Sequence, residues 1–406
     1  MDGANFQNAI TNDRGFLKYL RENKAIKVHD IMEDDAEGEA IQENSIFKSS
    51  CLSYRWRNGA KIVKITATST LLKMGVNIAE LVEPKEARLE SLSGKIVAID
   101  AYNTLYQFLS IIRQPDGTPL QDSSGSVTSH LSGLIYRTTN LIEKGIRPVF
   151  VFDGKPSELK AEVIRARSER RAEASRKWEE AKVLAPEEAL KYAKASSRIS
   201  DTIVADAKTL LTYLGIPCVQ AKTEGEAQAA YMIQRGDAEL VSSQDYDCLL
   251  FGAPVMIRNL TSPRRKAQPE LIAFHALAEK HGITREELVD IAILIGTDFN
   301  PGIKGIGVKK ALKLIKEHHS IERLLADSAI EARAIENYEL VRALFLQPEV
   351  NESYELTWGT LDEANVLEFL CEAHDFSEER VSKVLKRIAP PQKTPSAQQK
   401  SFEQWL

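Results

Sequence analysis

The residues best suited to chemistry in this chain of 406 amino acids are acids placed where apolar runs stop. The run Ile96 to Ile99 ends in Asp100, and Pro148 to Phe152 ends in Asp153 and Gly154. Glu239 to Ser243 leads into Gln244, Asp245, Tyr246 and Asp247. Short runs of this kind predict buried strands. Two further segments add acids: Glu224 and Glu226 just ahead of the apolar helix Ala227 to Ile233, and Asp298 closely after the helix Glu287 to Leu294.

In an open α/β sheet the carboxyl ends of strands share one edge, so Asp100, Asp153, Asp245 and Asp247 are expected to converge. Two carboxylates about 4 Å apart repel by about 4 kcal/mol at an effective dielectric near 20, so convergence demands a cation. Hard oxygen donors select Mg2+ or Mn2+, and a cluster of this size can hold two ions about 4 Å apart. Plainer accounts exist for single members. Thr223 and Glu226 have capping-box spacing, and Asp298 can cap a turn, although the preceding helix dipole disfavours an acid there. Glu224 has no such alternative task.

Strand and helix alternate from Lys95, with helical apolar spacing over Val127 to Glu143, which predicts an α/β fold with a parallel sheet. Between Leu159 and Arg198, Arg165, Arg167, Arg170, Arg171, Arg176 and Lys177 interleave with glutamates. That pattern fits a solvated helix laced with i,i+4 pairs or a helical arch that meets phosphates. Residues 284 to 316 read as two helices around a glycine-rich hairpin, and 319 to 388 as mostly helical. The glycines at 302, 305 and 307 suit either a simple turn or a phosphate-binding hairpin, and Lys309 and Lys310 in the first turn of the second helix favour an anion.

The bulk numbers agree with a soluble folded chain. Hydrophobic residues make up 43% and charged residues 27%, near globular averages. The net charge of -5 argues against a protein that coats nucleic acid through uniform positive charge. Four scattered cysteines form no zinc pattern and suggest a reducing, intracellular location without export. No long apolar run predicts a membrane span.

With these motifs assembled, the chain from Met74 onward resembles the flap endonucleases of the 5′ nuclease superfamily, in the archaeal form that lacks a basic tail. The resemblance rests on Val-Ala-Ile-Asp-Ala from 97, Thr-Ser-His-Leu from 128, Val-Phe-Val-Phe-Asp-Gly-Lys-Pro from 149 and Arg-Ser-Glu-Arg-Arg from 167. Glu-Gly-Glu-Ala from 224, Ser-Gln-Asp-Tyr-Asp-Cys-Leu from 243, Gly-Thr-Asp from 296 and Gly-Ile-Lys-Gly-Ile-Gly from 302 complete it.

It implies a PIN-like parallel twisted sheet flanked by helices, with a helical arch and a helix-hairpin-helix element. It implies cleavage of branched or flapped DNA, with 5′-3′ exonuclease activity, in Okazaki fragment maturation and base excision repair. Asp100, Asp153, Glu224, Glu226, Asp245, Asp247 and Asp298 would be the metal ligands for two Mg2+ ions, with Mn2+ as a substitute. Lys160 and Arg167 would sit beside the scissile phosphate. Tyr106 would stack the adjacent nucleotide, although Leu105 and Leu109 also place it on a core-facing stretch. Arg113, Arg137, Gly305, Gly307, Lys309 and Lys310 are the expected DNA contacts. Phe299 departs from the family's usual Tyr.

The tail residues Gln399, Phe402, Trp405 and Leu406 resemble a sliding-clamp binding peptide, with Leu where many relatives end in Phe. The expected organisation is an extension over 1-73 that reads as a mis-assigned start, and a nuclease region with arch over 74-178. The arch continues over 179-215, and a second nuclease region with the hairpin covers 216-330. A helical part over 331-389 and a flexible tail over 390-406 complete a chain expected to be monomeric. The rival readings are a phosphatase using Asp245 and Asp247, and a non-catalytic DNA scaffold.

Overall fold

The computed structural model describes residues 50–57, 60–67, 76–184, 186–262, 267–331 and 335–389. The expected clamp-binding peptide, Gln399, Phe402, Trp405 and Leu406, and the flexible tail over 390-406 lie outside the described residues. The chain divides into two compact units, Met1–Thr70 and Leu71–Leu406. In the first, β1 (Ser50–Arg57) and β2 (Ala60–Ala67) pair antiparallel, with Arg57 opposite Ala60.

The second unit is built on a seven-stranded sheet, made of β3 (Lys85–Glu86), β4 (Ile96–Asp100), β5 (Arg147–Phe152), β6 (Cys218–Gln220), β7 (Leu240–Ser242), β8 (Val255–Arg258) and β9 (Glu270–Ala273). The strand order is β3-β9-β8-β7-β4-β5-β6. From β8 to β6 every neighbour is parallel, as expected. The other edge corrects the expectation of a parallel sheet throughout: β9 runs antiparallel to β8, and β3 antiparallel to β9. The reason is connection length. Only eleven residues separate Arg258 from Glu270, and a parallel pairing needs a crossover of a dozen or more, usually an α-helix.

Successive side chains of the central strands feed opposite faces. Val97, Ile99, Phe150 and Phe152 enter one apolar core, while Ala98, Val149 and Val151 enter the other. Helices cover both faces, and among the described residues none is long and apolar enough to cross a membrane.

Two details of the expected organisation differ. The proposed boundary between 74-178 and 179-215 falls inside the continuous helix Ala161–Leu184, which packs against the helix Pro186–Ala195. Between the helices Tyr338–Leu346 and Glu363–Leu367, residues 347–362 are an extended strap, not helix.

Pro348 stops the preceding helix. Tyr354, Leu356 and Trp358 then alternate onto the core at the period of two that suits extended chain. The strap's polar groups find partners one by one. Gln228, fully buried, donates to the Asn351 carbonyl at 2.9 Å and accepts from its amide at 2.7 Å. Trp358 Nε1 donates to the Pro148 carbonyl at 3.1 Å, and the Gly359 amide to the Gly215 carbonyl at 2.9 Å.

Replacing Gln228 by Ala strands both Asn351 groups. The expected loss is about 1–3 kcal/mol of stability, read as a lower urea midpoint at unchanged slope.

Candidate metal centre

The chain order of the sheet reverses at β4, which has β5 on one side and β7 on the other. A crevice opens at the carboxyl ends of strands flanking such a point. Asp100 is the last residue of β4, Asp153 directly follows β5, and Asp245 and Asp247 follow β7. Asp100 also caps the helix Ala101–Ile111, accepting from the Asn103 amide at 2.9 Å. Glu224 and Glu226 open the helix Gly225–Gln234, and Asp298 follows the helix Arg285–Ile295.

The capping-box account of Glu226 fails. Glu224 occupies the N-cap without a side-chain cap bond, and Glu226 instead accepts from Ser243 Oγ at 2.9 Å. A capping box does form elsewhere, between Thr284 and Glu287, and it starts the helix that carries Asp298 to the site. The turn account of Asp298 is likewise incomplete, because its carboxylate meets Arg167 Nη2 at 2.6 Å.

All seven acids share one electrostatic neighbourhood. Burial pushes Asp153 up to about 6, aided by Glu224, and pushes Asp245 up to about 6, aided by Asp298. Burial raises Asp247 to about 7, with Asp298 and Asp245 adding to it. Asp100 and Glu226 are raised well above ordinary values, first by burial. Asp153 and Asp245 then act on Asp100, while Asp247, Asp245 and Asp100 act on Glu226. Among the described residues, no three of these acids stand close enough together, as placed, to hold a metal ion.

Cations and neutral donors hold the acids where they are. Lys160 Nζ pairs with Glu224, and its ammonium lies 5.0 Å from the Phe299 ring centroid. Burial works against the Lys160 charge, but Glu224, Asp298 and Asp153 outweigh it and raise its pKa. The Gly225 amide donates to Asp153 at 2.7 Å, and a Cβ at Gly225 would stand 2.7 Å from that same oxygen, so a larger residue would push the carboxylate out of this bond. The Val76 amide donates to Asp247 at 2.7 Å.

Two residues that the sequence reading passed over complete the set. Asn103 Nδ2 donates to Asp245 Oδ2 at 2.8 Å, and Ser243 Oγ, besides serving Glu226, accepts from the Asp245 amide at 3.1 Å. The available signal was their position three residues after Asp100 and two before Asp245.

Other expected residues lie around this centre in different settings. Tyr106 is half-buried, with the Arg171 guanidinium 5.5 Å from its ring centroid. Arg113 is turned inward: it donates to the Leu109 carbonyl at 2.8 Å, the Gly117 carbonyl at 2.6 Å and Ser197 Oγ at 2.8 Å. Arg137 donates to the Thr261 carbonyl at 3.2 Å and lines a cleft of about 370 Å³ with Tyr136, Asn140, Ser262 and Arg387. None of the seven acids lines that cleft. Gly305, Gly307, Lys309 and Lys310 are exposed, with Lys309 3.6 Å from Glu80.

The donor set fits a divalent metal. It is all oxygen, its mutual repulsion already raises proton affinity, and a dication relieves the same repulsion without occupying hydrogen-bond donors.

Comparison with known proteins gives one answer. Residues 70–174 match the XPG N-terminal domain, and residues 215–298 match the XPG I-region. A flap endonuclease 1 of Methanocella arvoryzae is 51% identical over 343 residues, spanning 82% of this chain and 100% of that relative. The solved flap endonuclease-1 of Methanococcus jannaschii is 39% identical with a TM-score of 0.63, covering 77% of this chain and 98% of that one. The catalytic core of Rad2 in complex with DNA substrate is 25% identical with a TM-score of 0.59, covering 76% of this chain and 97% of that one.

The raised aspartates give a signed pH effect. Between about pH 4 and 7 the folded chain holds more protons here than the unfolded chain, so stability from these groups is lost as pH rises through that window. Thermal melts in EDTA should therefore show Tm falling from pH 5 to 8. Mg2+ should recover it most at the upper end, and Asp247→Asn should flatten the slope.

Proposed function

This chain belongs to the flap endonuclease family of structure-specific nucleases, and on that premise we propose that its seven carboxylates hold two Mg2+ ions, or Mn2+, to hydrolyse a phosphodiester at the base of a 5′ flap. The observation that carries the proposal is the shared field of Asp100, Asp153, Glu224, Glu226, Asp245, Asp247 and Asp298: Glu224 acts on Asp153, Asp298 acts on Asp245 and Asp247, and the remaining acids act on one another. The ions, when bound, lower the pKa of the attacking water and stabilise the departing 3′ oxygen.

The chain's own residues supply position and complementary charge. Lys160 and Arg167 now neutralise Glu224 and Asp298. Once those carboxylates are committed elsewhere, the two cations are released toward the phosphoryl oxygens, where charge grows in the transition state. Phe299 supports this in its own way: buried, with its ring edge-on to Phe345, it places an aromatic face below Lys160. Tyr106, half-exposed, stacks the nucleotide next to the cut.

The helices Ala161–Leu184 and Pro186–Ala195 act as an arch over the flap. Their outward side carries solvated pairs such as Glu173 with Lys177, and the inward side carries Arg167 and Arg171. The hairpin before the helix Val308–His318 acts as a backbone clamp for duplex phosphates. Gly307 has a negative φ and open space around its missing Cβ, so nothing inside the protein requires a glycine there, whereas close approach by a phosphate does. Lys309 and Lys310 supply charge beside it. Arg137 meets the DNA from its cleft, while Arg113, with its donors engaged inside the protein, acts on the DNA only by shaping the base of the arch.

The clamp peptide Gln399, Phe402, Trp405 and Leu406 recruits the enzyme to a replication clamp through a hydrophobic pocket. Specificity comes from bent duplex and threaded flap rather than base reading, so affinity falls steeply with salt. In this role the enzyme serves Okazaki fragment maturation and base excision repair.

The test is cleavage of a double-flap substrate with and without Mg2+. Wild-type protein should yield a 5′-phosphate product only with the metal, and Asp245→Ala should bind the flap without cutting it. Cutting by Asp245→Ala at the wild-type rate would defeat the assignment. Arg167→Ala should lower the single-turnover rate by about 10²–10³-fold with little change in flap affinity.

A further inference from the structure

Asn103 is buried and directs its backbone amide and both polar atoms of its side chain at the two segments that face each other across the β4–β7 crevice. Its backbone amide donates to Asp100 Oδ1 at 2.9 Å, its side-chain Nδ2 to Asp245 Oδ2 at 2.8 Å, and its Oδ1 accepts from the Gln244 amide at 3.4 Å. One residue on the first turn of helix Ala101–Ile111 thus spans the crevice between two carboxylates that repel one another.

We propose that Asn103 is a positioning residue for the divalent cations: it sets the separation and rotation of Asp100 and Asp245, and so the affinity of the centre for Mg2+ and Mn2+. The proposal rests on the reading of the carboxylate ring as a metal centre and adds a determinant of how well that centre binds.

The chemistry of an amide suits the task. Lys160 and Arg167 also quiet acids of the ring, but their positive charge opposes a dication at the same carboxylate, so they must yield when metal binds. A neutral N–H donor need not. It occupies one lone-pair site on Asp245 Oδ2, favours the ionised form, and makes no demand on the other carboxylate oxygen. The Gln244 contact fixes the amide's orientation, because Oδ1 must accept while Nδ2 donates. Outer hydrogen-bond partners of ligating carboxylates commonly govern metal affinity by about 10–100-fold.

The experiment is Mn2+ titration of the full DNA-free chain, with free Mn2+ read by electron paramagnetic resonance, alongside kinetics on a double flap. Asn103→Leu keeps the volume and removes the donors. It should raise the Mn2+ Kd by about 10–100-fold. Its kcat should fall at low Mg2+ and recover at high Mg2+, and its KM for flap DNA should stay within about twofold. If that variant loses the wild-type near-UV spectrum, Asn103→Gln carries the test, because it keeps the amide and shifts it by one methylene. It too should weaken Mn2+ binding.

A folded variant that binds Mn2+ within about twofold of wild type overturns the positioning role. Failure of the metal centre itself would look different: with Asn103 intact, wild type would bind no Mn2+, or Asp245→Ala would bind it as tightly as wild type.

Discussion

Mutual repulsion among seven carboxylates is the constraint around which the described nuclease unit is organised. Burial and neighbouring acids together raise Asp100, Asp153, Glu226, Asp245 and Asp247, so each costs stability when ionised. The fold answers with three kinds of compensation. Ion pairs from Lys160 and Arg167 neutralise two acids, backbone amides of Val76 and Gly225 hold two more, and the side chains of Asn103 and Ser243 bridge between segments. Only the first kind competes with a dication. The backbone and side-chain donors are compatible with one, because a neutral N–H or O–H adds no charge that opposes it.

A strained centre needs a rigid frame. The central strands are packed on both faces, so Asp100 and Asp153 cannot retreat without moving Ile99 or Phe152 out of the core. Asp298 depends on a longer chain of support. Its helix is started by the Thr284 capping box, and Arg285 donates to the Leu250 and Phe345 carbonyls. Arg342 reaches Asp290 at 2.7 and 2.8 Å and also pairs with Glu322. Asp290 is buried, so breaking this network would leave an uncompensated charge, a defect that commonly costs about 3–5 kcal/mol. C-terminal helices that carry no catalytic group therefore hold a ligand candidate in register.

The strap over 347–362 plays a similar part for the opposite edge. It crosses the turn at Gly215 and the start of β5 at Pro148, and clamps the buried Gln228 on the helix opened by Glu224 and Glu226. Its contacts are single hydrogen bonds spread along an extended chain, so helical spacing was absent and the apolar alternation was too short to stand out. The antiparallel edge of the sheet was hidden for a related reason. A strand's own residues state its burial, whereas its direction follows from what lies between it and the next.

Sequence alone determined the positions of the central strands to within a residue or so, the four aspartates at their ends, the three further acids beside helix termini, the charged helices and the family. Those features are local: apolar runs, charge spacing and motifs can be read without knowing what they touch. Tertiary structure decided the partners. That Glu226 meets Ser243 rather than a helix amide, that Asp298 meets Arg167, and that Arg113 faces inward follow from distances between segments far apart in the chain. Asn103 shows the difference most directly. Its type and place were visible from the start, but a side-chain amide has no role until folding brings residue 245 within 2.8 Å of it.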